Sequence, residues 1–461
     1  MSYFEQFRNY TITQAADALL GILGNSSDEN VIRFTYLAEK FAKKEKYVKA
    51  IREIRKMFMD GHPSLQVAKK IIRETHPNVR KRLVKTFIVG QLLVGTNKRK
   101  AFQDEGGGFY PPGLYVISPS MRCNLNCFGC YAGSYKKTEE LSFDEVDGVI
   151  NQMKEMGVYF CVVSGGEPFF RKDLLEIFEK HHDVAFLVFT HGGLLDETLV
   201  KKVAELGNVL PCISLEGFEE ETDLRRGKGH FQKVMHAMDL LKEAGVLFGF
   251  SCTSTRKNFE TITSEEYYDL MIEKGCSVGW FFSYIPIGRE PNIDLMPTPQ
   301  QRSTLRETVW RVRRTKPILL ADFWNDGHVV GGCLAGGRKY LHVNAHGDIE
   351  PCVFCHFAVD NIRNTTIKDA LMSSFFKMIR ARQKTNPNML TPCMMIDKPE
   401  FVRESVLASG ARPTHEGAEK ILTDLAPDLD KYSEEYCRIA DKAWEKMKAE
   451  KEASEYTEVK R

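Results

Sequence analysis

Three closely spaced cysteines are the first residues in this sequence that can do chemistry. Cys123-Asn-Leu-Asn-Cys127-Phe-Gly-Cys130 sets three thiols in one short loop. Such a loop can wrap a metal centre, and an iron–sulfur cluster takes thiolate ligands, usually four. Three protein ligands leave one iron open to another group. Zinc is the competing assignment, because Cys-x2-Cys is common there, although zinc sites ordinarily add a second pair of ligands. A second element, Ser164-Gly165-Gly166-Glu167-Pro168, ends the next apolar run. Its glycines let the backbone approach a small ligand closely, and Glu167 offers a carboxylate to an ammonium group. Further on, Cys333, Cys352, Cys355 and Cys393 supply enough thiols for one more cluster or for a zinc ribbon. Cys437 and His356 are substitutes for Cys393, the least certain of the four.

The elements that must carry these residues can be read from periodicity. Apolar β-rich runs occur at Leu114–Ser118, Tyr159–Val163, Ala185–Phe189, Val209–Leu215, Leu247–Cys252 and Val278–Tyr284. Helical patterns lie between them at Phe143–Met156, Leu174–His181, Asp196–Leu206, Phe231–Ala244 and Ser264–Glu273. Ser142 with Glu145 forms a capping box for the first of these helices. The alternation predicts an α/β fold with a parallel sheet and helices outside it. Eight strand–helix units are not present, so any barrel is partial. Both Gly165–Pro168 and the cysteine loop follow strand C-terminal ends, where α/β sheets place their sites. Cys161, Cys212 and Cys252 fall inside strand runs and are expected to be core residues.

The flanks differ in texture. Residues 1–110 read as a helical region, closed off by Gly106-Gly107-Gly108 and Pro111-Pro112-Gly113. The core domain is expected over 111–316, a cysteine-bearing extension over 317–400 and a charged, solvated helical tail over 401–461. Between Val31 and Lys100 there are 19 Lys and Arg against 5 Asp and Glu, while the whole chain is only +2. A basic block of this kind faces an anionic partner or is the wet side of a helical cap. Leu83–Gly95, flanked by Arg80-Lys81-Arg82 and Lys98-Arg99-Lys100, suits a membrane interface. Aromatic interleaving of the kind that stacks bases is missing, which argues against nucleic acid. Met1–Tyr10 has no signal-peptide core and no apolar run is long enough to span a bilayer, so a cytoplasmic location is expected, with a peripheral membrane contact allowed. Twelve cysteines in that compartment are metal ligands and core residues rather than a disulfide framework.

With Cys-x3-Cys-x2-Cys and Gly-Gly-Glu-Pro both in place, the stretch from Leu114 to Glu290 resembles the radical S-adenosylmethionine (radical SAM) superfamily. The resemblance implies a partial (βα)6 TIM-like barrel and a 4Fe-4S cluster on Cys123, Cys127 and Cys130. The open iron would bind S-adenosylmethionine, which is split to a 5′-deoxyadenosyl radical that takes hydrogen from a substrate. By the same resemblance Gly165, Gly166, Glu167, Pro168 and Thr190 surround the cofactor. Ser214 and Glu216 contact its ribose or carboxylate, and Arg226, or Arg225 in its place, meets the carboxylate. Tyr284, Pro286 and Gly288 belong to the segment that packs on adenine. There are two departures. His191 stands where the family often has Asn, and is expected to be a satisfied loop histidine. Gly129 stands where an aromatic residue is usual, so Tyr131 or Phe128 takes over the adenine contact.

Gly347 to Cys352 and Asp360-Asn361-Ile362 resemble the SPASM or twitch extension of such enzymes. There are fewer cysteines than a full SPASM domain needs, which implies one auxiliary 4Fe-4S cluster on Cys333, Cys352, Cys355 and Cys393. The resemblance further implies anaerobic chemistry, an electron donor such as ferredoxin or flavodoxin, and a peptide or protein substrate. A lipid or isoprenoid substrate is the alternative, and a non-catalytic Fe-S or zinc protein a more distant one. No catalytic acid or radical relay stands out.

Overall fold

A computed structural model describes residues 27–41 and 45–459. The expectations on Met1–Tyr10 lie outside the described residues. Seven parallel strands follow one another in sequence and in space: β1 (Tyr115–Ile117), β2 (Phe160–Val163), β3 (Ala185–Thr190), β4 (Val209–Ser214), β5 (Gly249–Ser254), β6 (Val278–Ser283) and β7 (Leu319–Asp322). On the other edge β8 (His342–Val343) pairs parallel to β1. Two antiparallel strands continue the sheet there, β9 (Asp348–Glu350) and then β11 (Asp360–Asn361). β10 (Phe357–Ala358) pairs separately with β12 (Arg412–Pro413). Among the described residues the ten-stranded ladder runs open from β11 to β7.

Strand alternation sorts the side chains into two layers. Tyr115, Ile117, Cys161, Val163, Phe186, Val188 and Phe281 join the core under the helices. Their neighbours Val116, Val162, Leu187 and Cys212 belong to the second core, on the concave face. Cys161, Cys212 and Cys252 are all buried, as expected. The helices run where the pattern puts them, at Phe143–Glu155, Leu174–Lys180, Glu197–Leu206, His230–Glu243 and Glu265–Glu273. The Ser142–Glu145 capping box closes in both directions, at 2.8 and 3.1 Å.

The basic N-terminal segment packs on loops at the N-terminal ends of the strands. The His76 amide donates to Gly245 O (2.8 Å), Arg99 Nη1 to Gly157 O (2.7 Å), and the Tyr159 amide to Gln91 Oε1 (2.9 Å). Val84–Gly95 is a π-helix between the helices Pro77–Leu83 and Thr96–Phe102, and Phe87 rests edge-on against Phe160.

Two expectations need correction. The parallel sheet has a seventh strand beyond the six foreseen, and the extension continues the same sheet through β8. The tail helix Ala426–Val459 is not merely solvated, because Leu429, Tyr436 and Ala440 are fully buried in the second core.

Candidate active site

A cavity of about 880 Å³ opens over the concave face. Its wall includes Cys123, Cys127 and Cys130, together with Tyr131, Gly165, Gly166, Glu167, Thr190, Ser214, Arg226 and Tyr284. These expected site residues are therefore gathered on one cavity. Pro168, Glu216, Pro286 and Gly288 are not on its wall: Pro168, Pro286 and Gly288 adjoin the wall residues Glu167, Ile285 and Ile287 in sequence, and Glu216 pairs with Arg225 and Arg226, which line it.

The cysteine loop is held by backbone. The Glu167 amide donates to Arg122 O (2.8 Å), and the Arg289 amide donates to Cys130 O (3.0 Å). Arg289 Nη1 also donates to Cys127 O (3.0 Å). Glycine is required at the contact points: a Cβ on Gly166 would meet Arg122 O at 2.1 Å, and one on Gly288 would meet Cys130 O and Tyr131 O at 2.4 Å. Gly129 has φ +59°, and a Cβ there would strike the Tyr284 ring at 2.6 Å. The ring that the sequence lacks at Gly129 is thus supplied by Tyr284 from the end of β6. Tyr131 does not lie free on the wall. Its hydroxyl bonds Ser164 Oγ (2.5 Å) and accepts from the Gly165 amide (3.3 Å), while burial pushes it up to about 12.

Two buried carboxylates organise the strand ends. Glu167 is 1% exposed, and burial pushes its carboxyl up to about 7. It accepts from Thr190 Oγ1 (2.7 Å) and the His191 amide (2.9 Å), so it ties β2 to β3. His191 is satisfied, as expected: Nε2 meets Asn124 Oδ1 at 2.8 Å and Nδ1 accepts from the Gly193 amide at 2.9 Å. Burial pushes its imidazole down to about 3, leaving it neutral. Glu216 is clamped by Arg225 Nη1 (2.7 Å) and by Arg226 Nε and Nη2 (2.5 and 2.8 Å). Burial alone would raise its carboxyl, but the guanidinium groups of Arg226 and Arg225 hold it at about 2. Glu216 therefore acts through the two arginines, both of which line the cavity.

The second cysteine set assembles next door. Cys333, Cys352 and Cys393 line one small cleft, and Cys355 bridges back to Cys352 across a tight turn. The Asp397 carboxylate accepts from the Cys393 amide (2.9 Å) and is paired with the fully buried Arg302. His356 is engaged at both ring nitrogens, by His415 Nε2 (2.7 Å) and Val353 O (3.1 Å). Cys437 approaches Lys398 and Asp397 instead. Neither His356 nor Cys437 lines the cleft that Cys393 shares with Cys333 and Cys352. Tyr340, Leu334 and Phe354 line both the cleft and the main cavity, and Tyr340 donates to Cys352 Sγ (2.8 Å). A buried chain, Ser118–His342–Glu350–Tyr135–Thr414, with contacts of 2.6–3.0 Å, locks the extension to β1 and the cysteine loop.

Asp322 was missed by sequence reading. It ends β7 on the cavity wall, 1% exposed, and burial with the neighbouring Asp326 pushes its carboxyl up to about 6. The available signal was an acidic residue closing a short apolar run, Leu319-Leu-Ala-Asp322.

The donors fit iron–sulfur clusters. All seven cysteines are free thiols on glycine-tight or buried loops, and burial pushes Cys123 up to about 11, a cost that ligation offsets because ligands bind as thiolates. Among the described residues no three His, Cys, Asp or Glu side chains are set to hold a single metal ion. A cluster is gripped at its corners, by donors standing further apart.

Comparison with known proteins gives the class. Residues 117–270 match the radical SAM superfamily, and residues 333–395 match an iron–sulfur cluster-binding domain, SPASM. The chain is a radical SAM enzyme with a SPASM domain, and its cofactors are S-adenosylmethionine and iron–sulfur clusters. The AdoMet-dependent heme synthase of Methanosarcina barkeri is 26% identical over 287 residues, 56% of this chain and 81% of that protein. The Fe-coproporphyrin III synthase of the same organism is 31% identical, covering 38% of this chain and 45% of that protein. Mycofactocin maturase MftC of Mycolicibacterium smegmatis is 30% identical, covering 50% and 62%. The chain therefore spans less than two thirds of the last two. SuiB of Streptococcus suis bound to S-adenosylmethionine matches with TM-score 0.54 at 17% identity, covering 76% of this chain and 84% of that one, which speaks for the fold. No helix among the described residues is long and apolar enough to cross a membrane.

Proposed function

We propose that this enzyme abstracts hydrogen from a substrate with an extended apolar skeleton, an acyl or isoprenoid chain, bound in the main cavity. The observation that carries this reading is the cavity wall. Beneath the cysteine loop it is built from Val116, Val162, Leu187, Trp280, Phe282 and Leu320, down the concave face of the sheet. Each buried methylene of a chain lying there is worth about 0.8 kcal/mol. Cys123, Cys127 and Cys130 would hold the cluster that, with S-adenosylmethionine, would supply the hydrogen-abstracting radical. The protein's part is to position and to exclude water. Arg225 and Arg226, held by Glu216, present cations to the cofactor's carboxylate. Gly165 and Gly166 present backbone, and Ser214 and Tyr284 border the nucleoside. Cys333, Cys352, Cys355 and Cys393 hold the auxiliary cluster, and a ferredoxin- or flavodoxin-type donor supplies electrons.

A peptide substrate is the second reading, supported by the likeness to mycofactocin maturase. One experiment separates the two. The reconstituted enzyme, with dithionite and S-adenosylmethionine, is given perdeuterated acyl or isoprenoid lipids in detergent, or deuterated peptides. Deuterium in 5′-deoxyadenosine from the lipids supports the apolar reading, and transfer from peptides alone refutes it. Cys127→Ala is expected to abolish 5′-deoxyadenosine. Cys355→Ala is expected to spare cofactor cleavage and impair substrate turnover. Absence of 5′-deoxyadenosine from the wild type refutes radical chemistry altogether.

A further inference from the structure

We infer that the segment from Pro77 to Lys100 is a docking surface for an anionic lipid bilayer. Residues 75–100 hold seven Lys and Arg and no Asp or Glu; of the seven, Arg99 is turned inward and Lys100 pairs with Asp104. Val84, Thr86 and Val89 turn inward and are buried, so the fold already has its share of apolar contact from this segment. Three large apolar side chains are left outside: Ile88 is 40% exposed, Leu92 52% and Leu93 38%. Lys81 is exposed on the preceding helix. Lys85 is half-buried near the Arg82 and Lys81 charges, which, after burial, push its ammonium down. Tyr110, 43% exposed, lies with its ring centroid 6.0 Å from the Arg99 guanidinium carbon. Exposed aliphatic side chains on a segment rich in cations, with Tyr110 exposed next to Arg99, match the acyl boundary and headgroups of an anionic leaflet.

The surface also adjoins the cavity. Gln91, next in sequence to Leu92, donates from its side-chain amide to Gly113 O. Gly113 and Leu114 line the cavity. The apolar stripe is thus one residue away from a direct hydrogen bond to the cavity wall. If the substrate is an acyl or isoprenoid chain, as proposed above, the enzyme docks beside its substrate's own solvent. The inference rests on that reading for its purpose and on the surface residues for its geometry.

The test is co-sedimentation of the full-length reconstituted enzyme with vesicles of phosphatidylcholine alone or with added phosphatidylglycerol. Binding to the anionic vesicles is expected, falling as salt screens the charges. Lys81→Glu is expected to weaken it by at least about fivefold, on the scale of one lysine at a charged leaflet. The triple variant Ile88→Ser, Leu92→Ser, Leu93→Ser is expected to weaken it more than Lys81→Glu does, with unchanged 5′-deoxyadenosine formation in the absence of substrate as the check on folding. Absence of wild-type binding, equal binding to both vesicle types, or full retention by the triple variant overturns the inference. Deuterium transfer from lipids in detergent needs no docking, so transfer without sedimentation removes the docking surface alone. Sedimentation without transfer removes the substrate reading alone.

Discussion

Replacing Asp322 with Asn should make the protein more stable at neutral pH, against the usual direction of a buried polar substitution. Asp322 Oδ2 accepts from Asn325 Nδ2 (2.7 Å) and Oδ1 from the Asn325 amide (3.3 Å). The nearest charges are Asp326, paired with Arg313, and Arg302, paired with Asp397. Burial and Asp326 raise the carboxyl from 3.8 to about 6. The native state thus holds this proton more tightly than the unfolded chain does. Its contribution to stability is complete below 3.8 and is lost as pH rises through about 6. The full gap corresponds to ~3 kcal/mol at about 1.4 kcal/mol per pH unit. Asn keeps an acceptor for Asn325 and never ionises, and about 1 kcal/mol is allowed for the rearranged hydrogen bonds. Asp322→Asn should then gain ~2 kcal/mol at pH 8, and its advantage should grow by about 1.4 kcal/mol between pH 5 and pH 8. Urea unfolding of the reconstituted protein at both pH values measures this. Parallel stability curves for the two proteins, or a variant less stable at pH 8, would refute the argument. The same variant should turn over substrate more slowly, because a costly carboxylate on a cavity wall is the kind of group that function retains.

Two further substitutions test how the cluster loops are held. Asp397→Asn leaves Arg302 as a buried cation without its partner and loosens the Cys393 amide. It should cost ~3–5 kcal/mol and lower iron from about eight to about four per chain if each site holds a four-iron cluster. Iron retained in full would sink this link between the Arg302–Asp397 pair and the second site. Gly288→Ala places a methyl group 2.4 Å from Cys130 O and Tyr131 O at a backbone φ of +73°. It should remove the cluster's visible absorption at the first site and 5′-deoxyadenosine with it, whereas Gly148→Ala, in the helix Phe143–Glu155 with open space around it, should not.

The six strands and five helices between Leu114 and Tyr284 were legible because hydrophobic period switches cleanly between two and three to four residues along that stretch. β7 is no shorter than β2 but has no cysteine loop or glycine motif at its end to mark it, and β8 has only two residues, so the sheet beyond β6 went unread. Residue types at the site were legible too, but partners were not. Glu167 reads as a ligand-facing carboxylate, and only the structure adds that it also accepts from Thr190 and His191. Gly129 reads as a departure until the Tyr284 ring is found in the space that a side chain there would need. The tail helix reads as solvated because its charges outnumber the few described residues, Leu429, Tyr432, Ser433, Tyr436 and Ala440, that it buries.

The extension shows why such facts depend on topology rather than on spacing. Cys130 and Cys333 are far apart in the chain, and nothing in either motif says how they relate in space. β8 settles it by pairing with β1, the strand that leads into the cysteine loop. His342 on β8 then reaches Ser118 just beyond β1, and Glu350 on β9 reaches Tyr135 just past Cys130. From β9 the chain runs directly into Pro351 and Cys352. β7 closes the other side by pairing with β6, which puts Asp322 and Phe323 on the same cavity as Tyr340 and Phe354. One continuous sheet therefore holds the first cysteine set on the main cavity and the second on the cleft beside it, with Leu334, Tyr340 and Phe354 shared between the two. The main cavity thus has a wall, from Cys123 round to Tyr340 and Phe354, that neither domain could have formed alone.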